Sequence, residues 1–228
     1  VCAFATDGCA SACLGHNSGQ LALSHAEQSR AWKTALFFGL RSAFLELLRA
    51  DVRRLARRAR REGSIPAVRC DGSSDLGLGA RLAPEFPGVR FWDYTKNAAR
   101  ALRAARGGYA PNYHVTFSRS GENDDDVSRL LPSGCAVAVV FTARPAFRGR
   151  AAAPLPATWT DPVSGRRFRV IDGDESDARF LDRDVYGIAE GEGYVVGLRF
   201  KAARDRAGHV ESAGRFVVPI SGEYGVEV

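Results

Sequence analysis

The sequence reads CAVAVVF over residues 135–141, which makes this its most continuously apolar stretch of strand length. A strand with one face in water alternates between apolar and polar residues, whereas a strand buried on both faces does not. Burial on both faces is typical of parallel strands that are covered by helices. The stretch therefore predicts the centre of a parallel sheet in an α/β domain.

Five further short runs of apolar or aromatic residues each end in a cluster of polar residues. The runs cover residues 65–69, 89–92, 113–117, 168–171 and 194–200. Because the carboxyl ends of parallel strands meet at one rim of a sheet, the polar residues that follow them converge there. We predict a single α/β domain over residues 1–228, built as a partial or complete parallel β/α barrel of the TIM type. The chain begins at Val1 without a methionine, and we expect the first barrel strand upstream of that residue.

Two longer segments lie outside these runs. Over residues 29–61 apolar residues recur every three or four positions and arginines fill the other positions, which predicts a long amphipathic helix ending before Gly63. The arginine-rich face has two interpretations, a solvated outer face of a crossover helix or a stripe that binds RNA or DNA. Residues 144–167 are rich in proline, alanine and glycine, and we expect an irregular loop or a lid within the domain.

The composition is that of a folded globular chain: the 228 residues are 45% hydrophobic and 25% charged, which excludes a fibrous or wholly disordered protein. The net charge of +6 is compatible with a nucleic-acid partner. Apolar stretches are interrupted every few residues, so we expect no membrane span. The sequence lacks a G-x-S-x-G elbow, a P-loop and a complete G-x-G-x-x-G, which disfavours serine hydrolases, kinases and nicotinamide dehydrogenases.

Three cysteines, Cys2, Cys9 and Cys13, follow a C-x6-C-x3-C spacing in a cysteine-bearing loop that we expect over residues 1–28. Three thiolates leave one coordination position open, which suits a [4Fe–4S] cluster with a unique iron or a catalytic zinc. His16 could supply a fourth ligand and close a structural zinc site instead. The remaining alternative is that these cysteines are small buried side chains without a metal.

The five cysteines also indicate a compartment, because their number is odd and three of them crowd into the first thirteen residues. A disulfide framework spreads an even number of cysteines along a short secreted chain. We therefore expect a reducing environment, the cytoplasm of the cell that makes the protein.

Polar side chains that follow the predicted strands are candidates for a site at the rim. Those expected to bind substrate are Arg69, Asp93, Ser118, Arg119, Asn123, Asp172, Asp174 and Lys201. Lys96 and Glu122 are expected to transfer protons, because an ammonium or a carboxyl group can act as a general acid or base. Two alternatives stay open: a surface ion pair between Asp93 and Lys96, and a solvated turn at Asp172 and Asp174.

The cysteine loop and five other stretches resemble a largely uncharacterised, mainly phage-encoded protein family over most of the chain. The other stretches are residues 30–34, 68–75, 93–96, 112–118 and 170–174. That family in turn resembles phage proteins regarded as distant relatives of radical S-adenosylmethionine enzymes, which have a partial parallel barrel and three cysteines that hold a [4Fe–4S] cluster after the first strand.

The resemblance implies roles for two groups of residues. Cys2, Cys9 and Cys13 would hold the cluster, and Asp71, Gly72, Ser73 and Asp75 would bind the methionine end of S-adenosylmethionine. The sequence departs from those enzymes at the cysteines, because their usual spacing is C-x3-C-x2-C with an aromatic residue where this chain has Ala12. If the host of such a phage makes the protein, the cytoplasm in question is that of the host.

These observations predict an iron–sulfur, radical-S-adenosylmethionine-like enzyme that acts on a nucleotide or a nucleic acid at the rim. Two alternatives from other classes remain: a non-catalytic nucleic-acid-binding module with a structural zinc, and a zinc-dependent hydrolase. The hydrolase would need a base such as Asp71 or Glu122 beside a zinc-bound water. Metal content separates the first hypothesis from the other two.

Overall fold

The computed structural model describes residues 2–17, 23–146, 149–201 and 211–220 of the chain. Within these residues, eight strands form one sheet. They are β1 (Ala67–Val68), β2 (Arg90–Thr95), β3 (Tyr113–Ser118), β4 (Ala136–Phe141), β5 (Thr158–Thr160), β6 (Arg167–Asp172), β7 (Tyr194–Arg199) and β8 (Val217–Val218). The order across the sheet is β1-β2-β3-β4-β7-β6-β5, and β8 pairs with β4.

The sheet is mostly parallel: each recorded strand pair is parallel except β5 with β6. All six strands predicted from the sequence are confirmed, and so is the mixed α/β class. Strands β1 to β4 are adjacent in chain order, and a helix lies in each connection between them. Their carboxyl ends therefore lie at the same rim.

Eight α-helices occur in the described residues. They are α1 (Asp7–Ser11), α2 (Leu14–Asn17), α3 (Ser24–Gly39), α4 (Arg41–Glu62), α5 (Leu78–Leu82), α6 (Ala98–Ala105), α7 (Asp124–Leu130) and α8 (Asp182–Tyr186). None of the helices in this part of the chain is both long and apolar enough to cross a bilayer.

The single long helix predicted over residues 29–61 is wrong in one respect, because the structure has two helices there. Leu40 separates α3 from α4 with a backbone φ of −137° and ψ of 56°, which is not helical. The predicted end is confirmed, since α4 stops at Gly63 with φ of 65°, a left-handed conformation that glycine adopts readily. Apolar periodicity continues across Leu40, so the sequence pattern alone does not reveal the break.

Strand β4 lies at the centre of the core, as its sequence predicts. On one face Val137, Val139 and Phe141 pack in a cluster with Val127 of α7. On the other face Ala138 packs in a second cluster, which includes side chains from β6 and β7. Burying each large apolar side chain contributes about 1.5–3 kcal/mol, so β4 anchors both layers.

The segment 144–167, predicted as an irregular loop or lid, contains strand β5 among its described residues. Strand β5 forms an antiparallel hairpin with β6, and the side chain of Trp159 is buried against the core. The turn is closed by Asp161, whose carboxylate accepts hydrogen bonds from the backbone N–H groups of Val163 and Ser164 at 3.1 and 3.3 Å. Residues 147 and 148 lie outside the described residues.

Candidate functional site

The cysteine-bearing segment lies against the rim at the carboxyl ends of the parallel strands. Helix α1 contacts the segment 211–216, and the Ser11 hydroxyl donates a hydrogen bond to the carbonyl oxygen of Ser212 at 3.0 Å. The contact is close at Gly8, where a Cβ atom would stand 2.4 Å from the carbonyl oxygen of Ala213. The Cys2 thiol in turn lies 3.9 Å from the carbonyl oxygen of Ser73, in the loop after β1.

The three predicted metal ligands lie on this one segment in different environments. Cys2 is exposed, and Cys13 lies beside Gly15 close to Ser73. The Cys9 sulfur accepts a hydrogen bond from the Thr6 backbone N–H at 3.1 Å, as part of the cap of α1.

No group of three His, Cys, Asp or Glu side chains in the described residues is arranged to hold a metal. Partial desolvation of its sulfur raises the pKa of the Cys2 thiol, and the charges of Asp75 and Cys13 add to the rise while Lys96 opposes it. Cys2 is therefore in electrostatic range of rim residues and of a second cysteine. The side chain of His16, proposed as a fourth zinc ligand, lies outside the described part of the structure, as do Val1 and residues 18–22 of the predicted loop.

Asp75, Lys96 and Ser118 form a polar network across the ends of β1, β2 and β3, which we call the Lys96 network. The Asp75 carboxylate accepts hydrogen bonds from the Thr95 hydroxyl at 2.8 Å and the Lys96 backbone N–H at 2.9 Å. Arg100 from α6 lies 2.9 Å from the same carboxylate. The Lys96 ammonium donates a hydrogen bond to the Ser118 hydroxyl at 2.9 Å. Three residues predicted from separate stretches of sequence therefore meet beside Cys2.

Asp71 organises the loop that carries Ser73 and Asp75. Its carboxylate accepts hydrogen bonds from the Ser74 hydroxyl at 2.6 Å and from three backbone N–H groups at 2.7–3.2 Å. Those backbone groups belong to Leu76, Gly77 and Leu78. Asp71 is buried, so it shapes the loop, whereas Gly72 and Ser73 are exposed on the loop.

Asp93 holds Asp71 in place from below the rim. It is fully buried, and its Oδ1 atom accepts a hydrogen bond from the Asp71 backbone N–H at 2.9 Å. Its Oδ2 atom and the Tyr113 hydroxyl are both buried, and the two side chains interact with each other. Gly79 of α5 is close enough that a Cβ atom there would stand 2.4 Å from Oδ2. Burial and the charge of Asp71 raise the pKa of the Asp93 carboxyl to about 7.

Arg119, Asn123 and Glu122 lie after β3, next to the Lys96 network. Arg119 is buried, lies 2.7 Å from the Asp124 carboxylate and donates a hydrogen bond to the Arg215 carbonyl oxygen at 2.8 Å. The Asn123 side chain accepts from the Ser120 backbone N–H at 2.7 Å and donates to the Ser118 carbonyl at 3.1 Å. Glu122 is exposed beside a cavity of about 160 Å³. The cavity is also lined by Gly8, Ser120 and residues 212–216.

Asp172, Asp174 and Lys201 form a separate cluster at the ends of β6 and β7. The Arg199 guanidinium donates two hydrogen bonds to the Asp172 carboxylate, each of 2.7 Å, and one to Asp174 at 3.2 Å. The Lys201 ammonium lies 2.8 Å from Asp174. Arg199 holds the pKa of the Asp172 carboxyl below its usual range. The two carboxylates are thus neutralised by their own neighbours.

Arg69 extends from the end of β1 over a different part of the sheet. Its guanidinium stacks 4.6 Å from the centre of the Tyr94 ring and lies 3.4 Å from the Asp177 carboxylate. It therefore contacts the connection after β6 instead of the Lys96 network.

One comparison with known proteins covers both the sheet and the candidate site. A family model described as Gene product 88 matches residues 1–213. The chain belongs to the Gene product 88 family. No curated protein and no solved structure matches it.

The match to Gene product 88 spans the cysteine segment and the strands that end at the rim. It supports the predicted membership in a phage protein family of unknown function. The resemblance to radical S-adenosylmethionine enzymes stays a prediction.

Three contributions to the site are not apparent from the sequence. Arg100 and Thr95 contact Asp75, and the segment 211–216 contacts α1. Arg100 lies in the first turn of a helix capped by Asn97. A helix-start pattern locates that turn in the sequence, but it does not indicate that Arg100 contacts Asp75.

Proposed function

We propose that this Gene product 88 protein is an iron–sulfur enzyme of the radical-S-adenosylmethionine type that acts on a nucleotide or a nucleic acid at the rim. One observation carries the proposal: the segment bearing Cys2, Cys9 and Cys13 packs against the carboxyl ends of parallel strands, directly beside a polar network. Active sites of parallel α/β proteins occur at that end of the sheet.

The donor set is chemically suited to an iron–sulfur cluster. Three thiolates within twelve residues match the ligands that such clusters take, and they leave one iron free for another ligand. When bound, a reduced cluster would supply the one electron that cleaves a C–S bond of a sulfonium into a thioether and a carbon radical. The sequential order of β1 to β4 is that of consecutive barrel strands and supports the further proposal that this part of the sheet corresponds to part of a barrel, whereas β7 and β6 follow β4 in reversed order.

Residues of the chain would bind and orient the reactants. The Lys96 ammonium has three N–H donors, and the Ser118 hydroxyl takes one of them, so two remain for a phosphate or carboxylate oxygen. Asp75 fixes the Lys96 backbone, and its own charge is balanced by Arg100. Ser73 is exposed and its carbonyl oxygen lies 3.9 Å from the Cys2 thiol, so Ser73 is near enough to present its hydroxyl to the same ligand.

Metal analysis of anaerobically reconstituted protein tests this function. We expect about four iron and four sulfide per chain, with brown absorbance, because all three thiolates would bind one cluster. Cys9→Ala should lose the iron and the colour. Cys135→Ala is the matched control, because Cys135 is a buried core thiol near the carbonyl oxygen of Ala101.

Two outcomes would overturn the proposal. One is a single zinc per chain and no iron, which would favour a structural or hydrolytic zinc site. The other is full iron retention in Cys9→Ala. Thermal unfolding followed by circular dichroism shows whether either variant has lost its fold, so that a loss of iron is not confused with unfolding.

A further inference from the structure

Helix α4 carries most of the excess positive charge of the protein. It contains eight arginines, three acidic residues and no lysine, whereas the whole chain has a net charge of +6. The helix therefore accounts for five of the six excess charges, and the rest of the chain is nearly neutral. Because the excess positive charge lies on one helix, it indicates a local electrostatic surface and not a chain that is basic throughout.

Seven of the eight arginines are exposed, and Arg49 is half-buried, because α4 buries its other side. Leu45, Val52 and Ala59 are buried, and Val52 packs in a cluster with Leu82 and Phe91 beneath the helix. The apolar face is thus already occupied by the core. Leu47 is the one large apolar side chain exposed on α4, so the helix has no continuous apolar face with which to enter a membrane, as an amphipathic surface helix does.

Most of the arginines near the carboxyl end of α4 lack neutralising partners. Arg54 pairs with Asp51 at 3.0 Å, and Arg58 pairs with Glu62 at 2.7 Å. Among the described residues Arg57, Arg60 and Arg61 make no ion pair, and together with Arg54 they line a groove of about 460 Å³. We call these four arginines the arginine groove.

We infer that the arginine groove binds the phosphate backbone of duplex DNA. Guanidinium groups bind phosphate oxygens through paired N–H donors, and the all-arginine composition favours that geometry over the point charge of lysine. From Arg54 to Arg61 the groove runs about 10 Å along the helix, enough to contact successive phosphates. An exposed helix also fits the major groove of DNA, whereas the deep major groove of duplex RNA excludes it.

The chemistry of the groove also argues against single-stranded binding. Binding of unpaired bases uses exposed aromatic side chains as stacking platforms. Residues 53–62 contain no aromatic residue, and the nearby Phe86 is half-buried and covered by Arg53. The groove can therefore contact the backbone without reading bases.

The position of the groove relative to the rim indicates the class of substrate. The other end of α4 reaches the rim, where Leu45 packs in a cluster with Leu78 and with Cys70. Arg57 is twelve residues further along the helix, about 18 Å away. Resting on the proposed function, this separation favours a polymer held at both places over a free nucleotide.

Fluorescence anisotropy with a short labelled DNA duplex, measured over a series of salt concentrations, tests the inference. The variant Arg57→Gln, Arg60→Gln and Arg61→Gln keeps good helix formers and removes three charges. We expect its binding to weaken about 10-fold or more, and its log–log salt slope to fall by about three. The control removes three exposed arginines elsewhere, with Arg106→Gln, Arg129→Gln and Arg169→Gln, and should bind like the unmodified chain.

Three results would overturn the inference. They are no binding to the duplex, equal weakening in both triple variants, or tighter binding to duplex RNA, single strands or phosphatidylserine vesicles than to duplex DNA. The same titration with Cys9→Ala separates this inference from the proposed function. If Cys9→Ala loses its iron and still binds DNA, the arginine groove binds DNA independently of the cluster. If the unmodified chain holds iron and does not bind the duplex, this inference fails and the proposed function is unaffected.

Discussion

Asp93→Asn will stabilise the protein at pH 8 and have little effect at pH 4. Asp93 is fully buried, and its pKa of about 7 is above the ordinary 3.8 because burial and the Asp71 charge oppose ionisation. For a carboxyl with a raised pKa, the unfavourable contribution grows as pH rises from about 4 to about 7 and is complete above that. Asparagine cannot ionise, so the variant does not lose this stability as the pH rises.

The expected gain at pH 8 is on the order of 4 kcal/mol in the free energy of unfolding, from roughly three pKa units at 1.36 kcal/mol each. Asparagine retains an oxygen that can accept from the Asp71 N–H, and its amide can donate to the Tyr113 hydroxyl. Urea unfolding at both pH values measures the change. Asp184→Asn, at an exposed position, serves as the control and should change stability by less than about 0.5 kcal/mol. An equal effect of Asp93→Asn at both pH values would contradict the account of this carboxyl.

Arg199→Met will destabilise the protein by about 3 kcal/mol at neutral pH. The Arg199 side chain is buried, neutralises Asp172 and Asp174, and donates to the Ala153 carbonyl oxygen at 2.8 Å. Removing one partner of a buried ion pair leaves the other charges uncompensated. The two carboxylates are partly exposed, at 27% and 18%, so solvent reduces the penalty from the upper end of the usual range.

The effect of Arg199→Met will shrink in acid. The pKa of Asp172 is lowered mainly by its hydrogen bonds to Arg199, so the stabilisation exists above the ordinary carboxyl pKa and is lost as pH falls through the lowered value. Chemical denaturation between pH 3 and pH 7 measures this, and Arg169→Met on the exposed face of β6 is the matched control. Asp172→Asn added to Arg199→Met should restore part of the stability. If Arg199→Met lost no more stability than Arg169→Met, the ion pairs of Arg199 with Asp172 and Asp174 would not contribute to stability.

The strands could be predicted because their signal is local. The continuous apolar run CAVAVVF indicates a buried strand without reference to the rest of the chain, and the polar residues after each strand follow it directly. The convergence of Asp75, Lys96 and Ser118 then follows from parallel pairing alone, since β2 and β3 are in parallel register. This is why the part of the site next to Cys2 was accessible from the sequence.

What could not be predicted depends on distant pairings. The sequence gives no sign that Arg199 neutralises Asp172, because they are 27 positions apart on two strands whose register places Asp172 opposite Gly197. Asp93 reads as a rim residue, yet the alternation of β2 places it with Phe91 on a buried face. A charged residue at a buried position contradicts the hydrophobic pattern, and only its neighbours explain it.

Electron paramagnetic resonance of the anaerobically reduced protein, recorded with and without S-adenosylmethionine, tests most directly whether Cys2, Cys9 and Cys13 hold a working cluster at the rim. We predict the signal of a one-electron-reduced [4Fe–4S] cluster and a change in that signal when S-adenosylmethionine is added, because three cysteines leave one iron free to bind it. An absent signal in iron-reconstituted protein, or a signal that S-adenosylmethionine leaves unchanged, would contradict the account.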